Sequence, residues 1–201
     1  MKHSKNVLII GLASNYPPPE RKKPGWEWWS CNWAWSETWP QHCDRWFELH
    51  RRKWLKRFYG PKLWKQHVAA LAALDIPVVT LEPWPELRRW TPLPHRDLGR
   101  YHASSLDWMV AYALYRKVRT LVLCGIDLRP GNSEPIAARP CLEYWLGRAQ
   151  GRGVAIIPVA GGLFQTYQYL QSRRRYGLEP CDPIVSVDGK PLTKAERLHV
   201  G

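Results

Sequence analysis

The stretch Ser104-Ser105-Leu106-Asp107-Trp108-Met109-Val110-Ala111-Tyr112-Ala113-Leu114-Tyr115-Arg116-Lys117-Val118-Arg119-Thr120-Leu121-Val122-Leu123-Cys124-Gly125-Ile126-Asp127 decides how this chain folds. Leu106, Met109, Val110, Ala113 and Leu114 repeat at the i, i+3, i+4 spacing that lines one helical face, and two serines stand where an N-cap belongs. A short basic turn follows. Thr120 to Cys124 is then an almost unbroken apolar run, the pattern of a parallel strand covered on both faces. It stops at Gly125-Ile126-Asp127. Ligands of open α/β sheets collect beyond the carboxyl ends of strands, so Asp127 is placed where a substrate would sit.

The same alternation continues outward. Asn6-Val7-Leu8-Ile9-Ile10-Gly11 is an apolar run closed by a glycine, and with Leu12-Ala13-Ser14 it predicts a first buried strand and a phosphate-facing turn. The three-glycine dinucleotide fingerprint is absent, since only Gly11 is there. Ile76 to Leu81 and Val154 to Val159 predict further strands, and Leu63 to Leu74 a helix. Arg129 to Pro135 reads as a loop directly after a strand end, where function commonly sits. Arg139 to Leu146 opens another helix with Pro140 in its first turn, Gly151 and Gly153 end it, and Gly161-Gly162 starts a last helical piece. The sum is one α/β domain over residues 1–178, Rossmann-like and doubly wound, with a mostly parallel sheet of about five or six strands. A polar tail occupies 179–201.

Composition narrows the partners. Lys plus Arg number 30 against 17 Asp plus Glu, a net charge of +13, which favours polyanions such as nucleic acid or nucleotide phosphates. Cys31, Cys43, Cys124, Cys141 and Cys181 form no CxxC pair and read as reduced thiols of a cytoplasmic protein, with no metal site implied. No signal-peptide or membrane-spanning stretch is expected. There is also no P-loop, no GxSxG elbow and no DxD pair.

Two tracts stand out. Trp26, Trp28, Trp29, Trp33, Trp35, Trp39 and Trp46 are more than half of the 13 tryptophans, and so many large rings predict that some stay exposed. They read either as a stacking platform for bases or sugars or as a packed core edge. Arg51, Arg52, Lys53, Lys56 and Arg57 crowd an eight-residue segment with Trp54, Leu55 and Phe58; the choices are a solvated helix face or a phosphate-contacting segment. Arg173, Arg174 and Arg175 make a second basic patch. Between the tracts, Asp44 to His50 predicts a strand whose end carries Glu48 and His50, the histidine being either a structural hydrogen-bonder or a group that faces the ligand.

The strand ends and the helix start would therefore gather Gly11, Ser14, Asn32, His50, Ser104, Ser105, Gly125 and Asp127. Small polar groups around a helix N-terminus suit a nucleotide, with hydroxyls and backbone N–H groups on the phosphate and Asp127 accepting from ribose or base.

Ala103 to Met109 and Leu121 to Asp127 resemble the serine-containing helix and the Gly-Ile-Asp strand end of bacterial sialyltransferases that decorate lipooligosaccharide, and of the related DUF115/MptE-like group. Ser30-Cys31-Asn32-Trp33 resembles the Cys-Asn segment where those enzymes hold a cytidine nucleotide. With Asp44 to His50 and Arg139 to Tyr144 included, the chain is more closely similar to a group of tailed-phage proteins, over roughly residues 5 to 160. The resemblance implies a metal-independent glycosyltransferase fold that takes a nucleotide sugar as co-substrate and no other cofactor, with Ser14, Asn32, Ser104 and Ser105 in binding roles; Gly11 and Gly125 are read as nucleotide-binding beside them. The sialyltransferases place a catalytic histidine in the loop after Gly-Ile-Asp; here that loop offers Asn132, Ser133 and Glu134. Two functions stay open. One is a sugar transfer to a hydroxyl, with Glu134 or His50 as base beside Asp127 and a hydroxylated base in DNA as acceptor, held by the two basic patches. The other is capture of a nucleotide or nucleic acid without chemistry.

Overall fold

Val7 and Ile9 point to one side of the first strand, Leu8 and Ile10 to the other, and all four are buried. Burial on both sides is what an unbroken apolar run requires, and it recurs across the sheet. The computed structural model describes residues 6–12, 18–37, 39–126, 128 and 133–158. Among them seven strands form one sheet: β1 (Asn6–Ile10), β2 (Trp26–Cys31), β3 (Arg45–Glu48), β4 (Val78–Thr80), β5 (Trp90–Pro92), β6 (Thr120–Cys124) and β7 (Ala155–Pro158). Their order is β5-β4-β3-β2-β1-β6-β7, and every neighbouring pair is parallel.

Helix α1 (Arg52–Ala73) covers the face that carries Leu8, Ile10, Trp28, Trp46, Val78 and Val122. Helices α2 (Ser105–Tyr115) and α3 (Ser133–Gln150) cover the opposite face, that of Val7, Ile9, Trp29, Phe47, Leu121 and Leu123. The chain steps outward from β1 to β5, then returns to lay β6 on the other side of β1. That reversal is the switch point at which α/β sheets bind ligands. Here the two strand ends touch. Gly11 N–H donates to the Cys124 carbonyl at 2.8 Å, and a Cβ on Gly11 would lie 2.4 Å from the Gly125 carbonyl oxygen. Gly125 itself has φ 62°, a left-handed conformation that glycine adopts without strain.

The doubly wound sheet is as the sequence predicts, with four differences. It has seven strands because β5 lies within the proline-rich connection from Pro83 to Pro94; an edge position tolerates Pro92. Helix α1 begins at Arg52, well before Leu63, and is broken at Gly60 (φ 70°, ψ 173°), after which Pro61 restarts it. Helix α3 begins at Ser133, so residues 133–135 are helical and Pro140 sits inside the helix; its ring is on the solvent side, where water can satisfy the carbonyl that loses its donor. Finally, none of the seven clustered tryptophans is exposed. Trp28, Trp29, Trp39 and Trp46 are buried and Trp26, Trp33 and Trp35 half-buried, because a sheet covered on both faces has room for large rings on either side. The expected helical piece at Gly161-Gly162 and the tail 179–201 lie outside the described residues. No described helix is long and apolar enough to cross a membrane.

Candidate functional site

Four strand ends and one helix start build the site. Ser104 caps α2 in an extended conformation, its hydroxyl accepting from the Asp107 N–H at 3.5 Å. Asp107, fully buried, answers with Oδ2, which accepts from the backbone N–H groups of Ala103 (3.0 Å) and Ser104 (2.8 Å) and from the Ser104 hydroxyl (3.0 Å). This reciprocal capping box fixes where the helix starts. It also occupies Ser104 and leaves the next serine to face the strand ends: Ser105 Oγ donates to Asn32 Oδ1 at 3.2 Å.

Asn32 directly follows β2 with φ 54°, the left-handed region that asparagine tolerates better than most residues. Its backbone carbonyl accepts from Trp46 Nε1 at 3.3 Å, which ties the turn to β3. One strand further along, β3 ends in a buried polar chain. Glu48 has no exposed surface, and its Oε1 accepts from His50 Nδ1 at 2.7 Å and from the His50 backbone N–H at 3.1 Å. Its Oε2 accepts from His67 Nε2 at 2.8 Å, and His67 Nδ1 in turn accepts the Trp35 indole N–H at 2.9 Å. The indole thereby selects the His67 tautomer that can donate to Glu48. Burial alone would raise the Glu48 carboxyl, but the hydrogen bonds from His50 and His67 outweigh it and hold the group below its ordinary 4.5. Glu48 is thus an ionised carboxylate inside the protein, and it orients His50, whose side chain is 36% exposed.

Trp33, Trp35, Tyr59 and Trp84 surround the His67 ring at centroid distances of 5.2 to 6.4 Å. The tryptophan tract therefore walls in the support of His50. Cys31, at the end of β2, is pushed up to about 12 by burial, with the Glu48 charge adding, so its thiol stays protonated. Cys43, Cys124 and Cys141 are buried free thiols as well; Cys181 lies outside the described residues.

No family model and no curated protein matches the chain. Two solved structures are similar to it. One is the α-2,3-sialyltransferase of Campylobacter jejuni in apo form, 14% identical, covering 79% of this chain and 76% of that one, with a TM-score of 0.46. The other is the sialyltransferase CstII of Campylobacter jejuni in complex with the substrate analogue CMP-3FNeuAc, 12% identical over 81% of this chain and 83% of that one, with a TM-score of 0.48.

Of the residues singled out by sequence, Gly11, Asn32, His50, Ser104, Ser105 and Gly125 all lie at the carboxyl ends of β1, β2, β3 and β6 or at the start of α2. Ser14, Asp127 and Arg173 to Arg175 fall outside the described residues; Glu134 lies in the first turn of α3, its side chain outside them. Arg52 is turned to other work, its backbone N–H donating to Glu82 and its guanidinium paired with Glu86. Arg51, Lys53, Lys56 and Arg57 are exposed. Among the described residues no group of three or more His, Cys, Asp or Glu side chains could hold a metal ion.

Two histidines were missed. His67 lies with Trp64, Val68 and Leu71 at i, i+3, i+4, i+7 spacing, so a polar residue on an apolar stripe was the available signal. His102, with its side chain 4% exposed, lies flat between Trp108 (3.5 Å) and Trp145 (4.8 Å), its Nδ1 2.8 Å from Asp107 Oδ1 and its buried Nε2 without a hydrogen-bond partner among the described residues. Nothing in the sequence pairs it with Trp145.

Proposed function

We propose that this protein is a glycosyltransferase that moves a sugar from a nucleotide donor to a hydroxyl, with His50 as the general base. The observation that carries the reading is the Glu48-oriented His50 standing one strand away from the Ser105–Asn32 contact at the switch point. The donor lies across the ends of β2, β1 and β6, beside the close approach of Gly11 and Gly125. Its phosphate takes the N–H groups of Ser105 and Leu106, which helix geometry leaves without intrahelical acceptors and the Ser104 cap does not engage, while the Ser105 hydroxyl holds Asn32 in place beside it. Asn32 offers its amide to the nucleoside.

The acceptor hydroxyl loses its proton to His50 Nε2 as its oxygen bonds to the anomeric carbon and the bond from that carbon to the phosphate oxygen breaks. The leaving nucleotide keeps the electron pair, and the positive end of α2 stabilises its charge. The ionised Glu48 supports the imidazolium that forms. His50 takes precedence over Glu134 because its orientation is built into β3. The net charge of +13 and the resemblance to tailed-phage proteins support a hydroxylated base in DNA as acceptor, met in the cytoplasm of the host cell.

The test is nucleotide release from CMP-, UDP- and GDP-sugars, with and without DNA containing hydroxymethylated bases. His50→Ala should lower release by about 100-fold or more while leaving donor binding intact. Calorimetric binding of the donor with no release under any condition would instead make this a nucleotide-capturing protein.

A further inference from the structure

The first segment of α1, residues 52–59, is set off from the rest of the helix by Gly60 and carries an arrangement that the fold does not require. Leu55 anchors it, fully buried. On the outer side Trp54 is 50% and Phe58 68% exposed, and exposed rings of that size are a liability unless something covers them. They are not splayed. His50 stacks on Trp54 at 5.2 Å and 15°, and Trp54 on Phe58 at 4.8 Å and 10°, so residues i, i+4 and i+8 form one column of nearly parallel rings. At about 100° per residue, Lys53 and Arg57 form a second lane beside Trp54 and Phe58. Arg51 and Lys56 are exposed around the same segment, and residues 51–74 contain no Asp or Glu. Among the described residues the acidic partners in this region, Glu82 and Glu86, are taken by Arg52.

We infer that this face binds a single-stranded nucleic acid, with phosphates on the Lys53–Arg57 lane and a base extending the ring stack at its exposed Phe58 end. A lane of cations beside a lane of flat rings matches a chain whose charges and π-faces are both accessible. A duplex offers the charges and hides the base faces; a polysaccharide polyanion offers the charges and has no bases. This deepens the transferase reading by naming the acceptor as an unpaired strand and rests on that reading only for the chemistry at His50, since strand binding stands on the face itself.

The experiment uses the full chain and fluorescence anisotropy across a salt series, with labelled oligothymidylate, a mixed-sequence single strand, its duplex, and heparin as competitor. The single strands should bind at least about ten-fold more tightly than the duplex at equal salt. Trp54→Ala with Phe58→Ala should weaken single-strand binding by about 10- to 100-fold, from roughly 1–3 kcal/mol per stacked base, and leave the duplex unaffected. Trp54→Phe with Phe58→Tyr, which keeps flat rings, should retain the preference. Lys53→Gln with Arg57→Gln should reduce the salt slope by about 1.4, at roughly 0.7 per single-strand phosphate. Duplex or heparin binding as tightly as the single strands, with the ring-to-alanine variant indifferent, would overturn the inference in favour of a plain cationic surface. Binding of the parent to anionic vesicles that the ring variant loses, without a single-strand preference, would overturn it in favour of a membrane surface. Donor calorimetry on the same variants separates the two readings. Intact donor binding by a parent that shows no single-strand preference sinks only this inference, and His50→Ala with intact strand binding and unchanged release sinks only the transferase mechanism.

Discussion

Ser105 Oγ donates to Asn32 Oδ1 at 3.2 Å, joining the first turn of α2 to the residue after β2 across 73 positions of sequence. The contact makes the nucleotide site testable apart from stability. Asn32 has φ 54°, so alanine there loses the amide and also strains the backbone, at roughly 1–2 kcal/mol for a left-handed residue with a Cβ, whereas glycine loses only the amide. Asn32→Gly and Ser105→Ala should each weaken nucleotide binding by about ten-fold in calorimetry and cost about 1 kcal/mol or less in thermal unfolding. Asn32→Ala should be the least stable of the three. If Asn32→Gly and Ser105→Ala bind nucleotides like the parent, the site is elsewhere.

Gly11 is where β1 and β6 meet most closely. A methyl group 2.4 Å from the Gly125 carbonyl must displace backbone, because neither partner has a flexible side chain to yield. Gly11→Ala should therefore cost about 2–3 kcal/mol in denaturant unfolding, the range of an overpacked core. Gly147→Ala is the matched control. It lies in α3 with nothing within 4 Å of the added carbon and should gain about 0.5–1 kcal/mol from helix propensity. Equal midpoints for the two variants would contradict the close approach.

Glu48 gives the protein a pH dependence of known sign. Its folded-state pKa lies below the ordinary 4.5, so the native state takes up its proton less readily than the unfolded chain. The stabilisation is present above the ordinary carboxylate range and is lost as pH falls below about 4.5 toward the folded value. In unfolding experiments from about pH 7 to about pH 3, the parent should lose stability more steeply at the acid end than Glu48→Gln. The variant should start lower at neutral pH, by about 1–3 kcal/mol, because an amide cannot accept from both His50 and His67. Parallel curves for the two proteins would mean that Glu48 is not the charged centre of the network.

The strands that face both layers were readable because burial on both sides leaves an unbroken apolar run, as in Val7 to Ile10 and Leu121 to Cys124. Strand β5 was not, since three residues ending in Pro92 on a sheet edge carry neither alternation nor a long apolar run. The helix start at Ser104–Ser105 was legible, but which serine is spent on the cap depends on Asp107, whose carboxylate reaches back to it. The tryptophan tract misled for a physical reason. Aromatic content alone does not say whether rings face solvent, and here Trp33 and Trp35 are drawn inward around His67, which arrives from α1 more than thirty residues later, with 32 positions between Trp35 and His67. Site residues joined by sequence-distant contacts, such as His50, Glu48 and His67, become a unit only once the sheet order is known.

Trp35 tests whether that unit positions His50. Its indole N–H holds His67 Nδ1 as an acceptor at 2.9 Å and so keeps the proton on His67 Nε2, facing Glu48 Oε2 at 2.8 Å. Phenylalanine keeps the ring packing beside Trp33 and removes only the donor. With Nδ1 left buried and unpaired, Trp35→Phe should cost about 1–3 kcal/mol. Without that donor nothing holds the proton on Nε2, and a change of the His67 tautomer turns a lone pair toward the Glu48 carboxylate and through it disturbs His50. Nitrogen-15 histidine spectra should show the His67 tautomer change, and nucleotide release should fall in kcat with KM nearly unchanged, its pH profile displaced from that of the parent. His67→Phe, which removes the link altogether, should shift the profile in the same sense. A variant that loses stability while the His67 spectrum and the pH profile stay those of the parent would reduce Trp35 to a packing residue and leave His50 oriented by Glu48 alone.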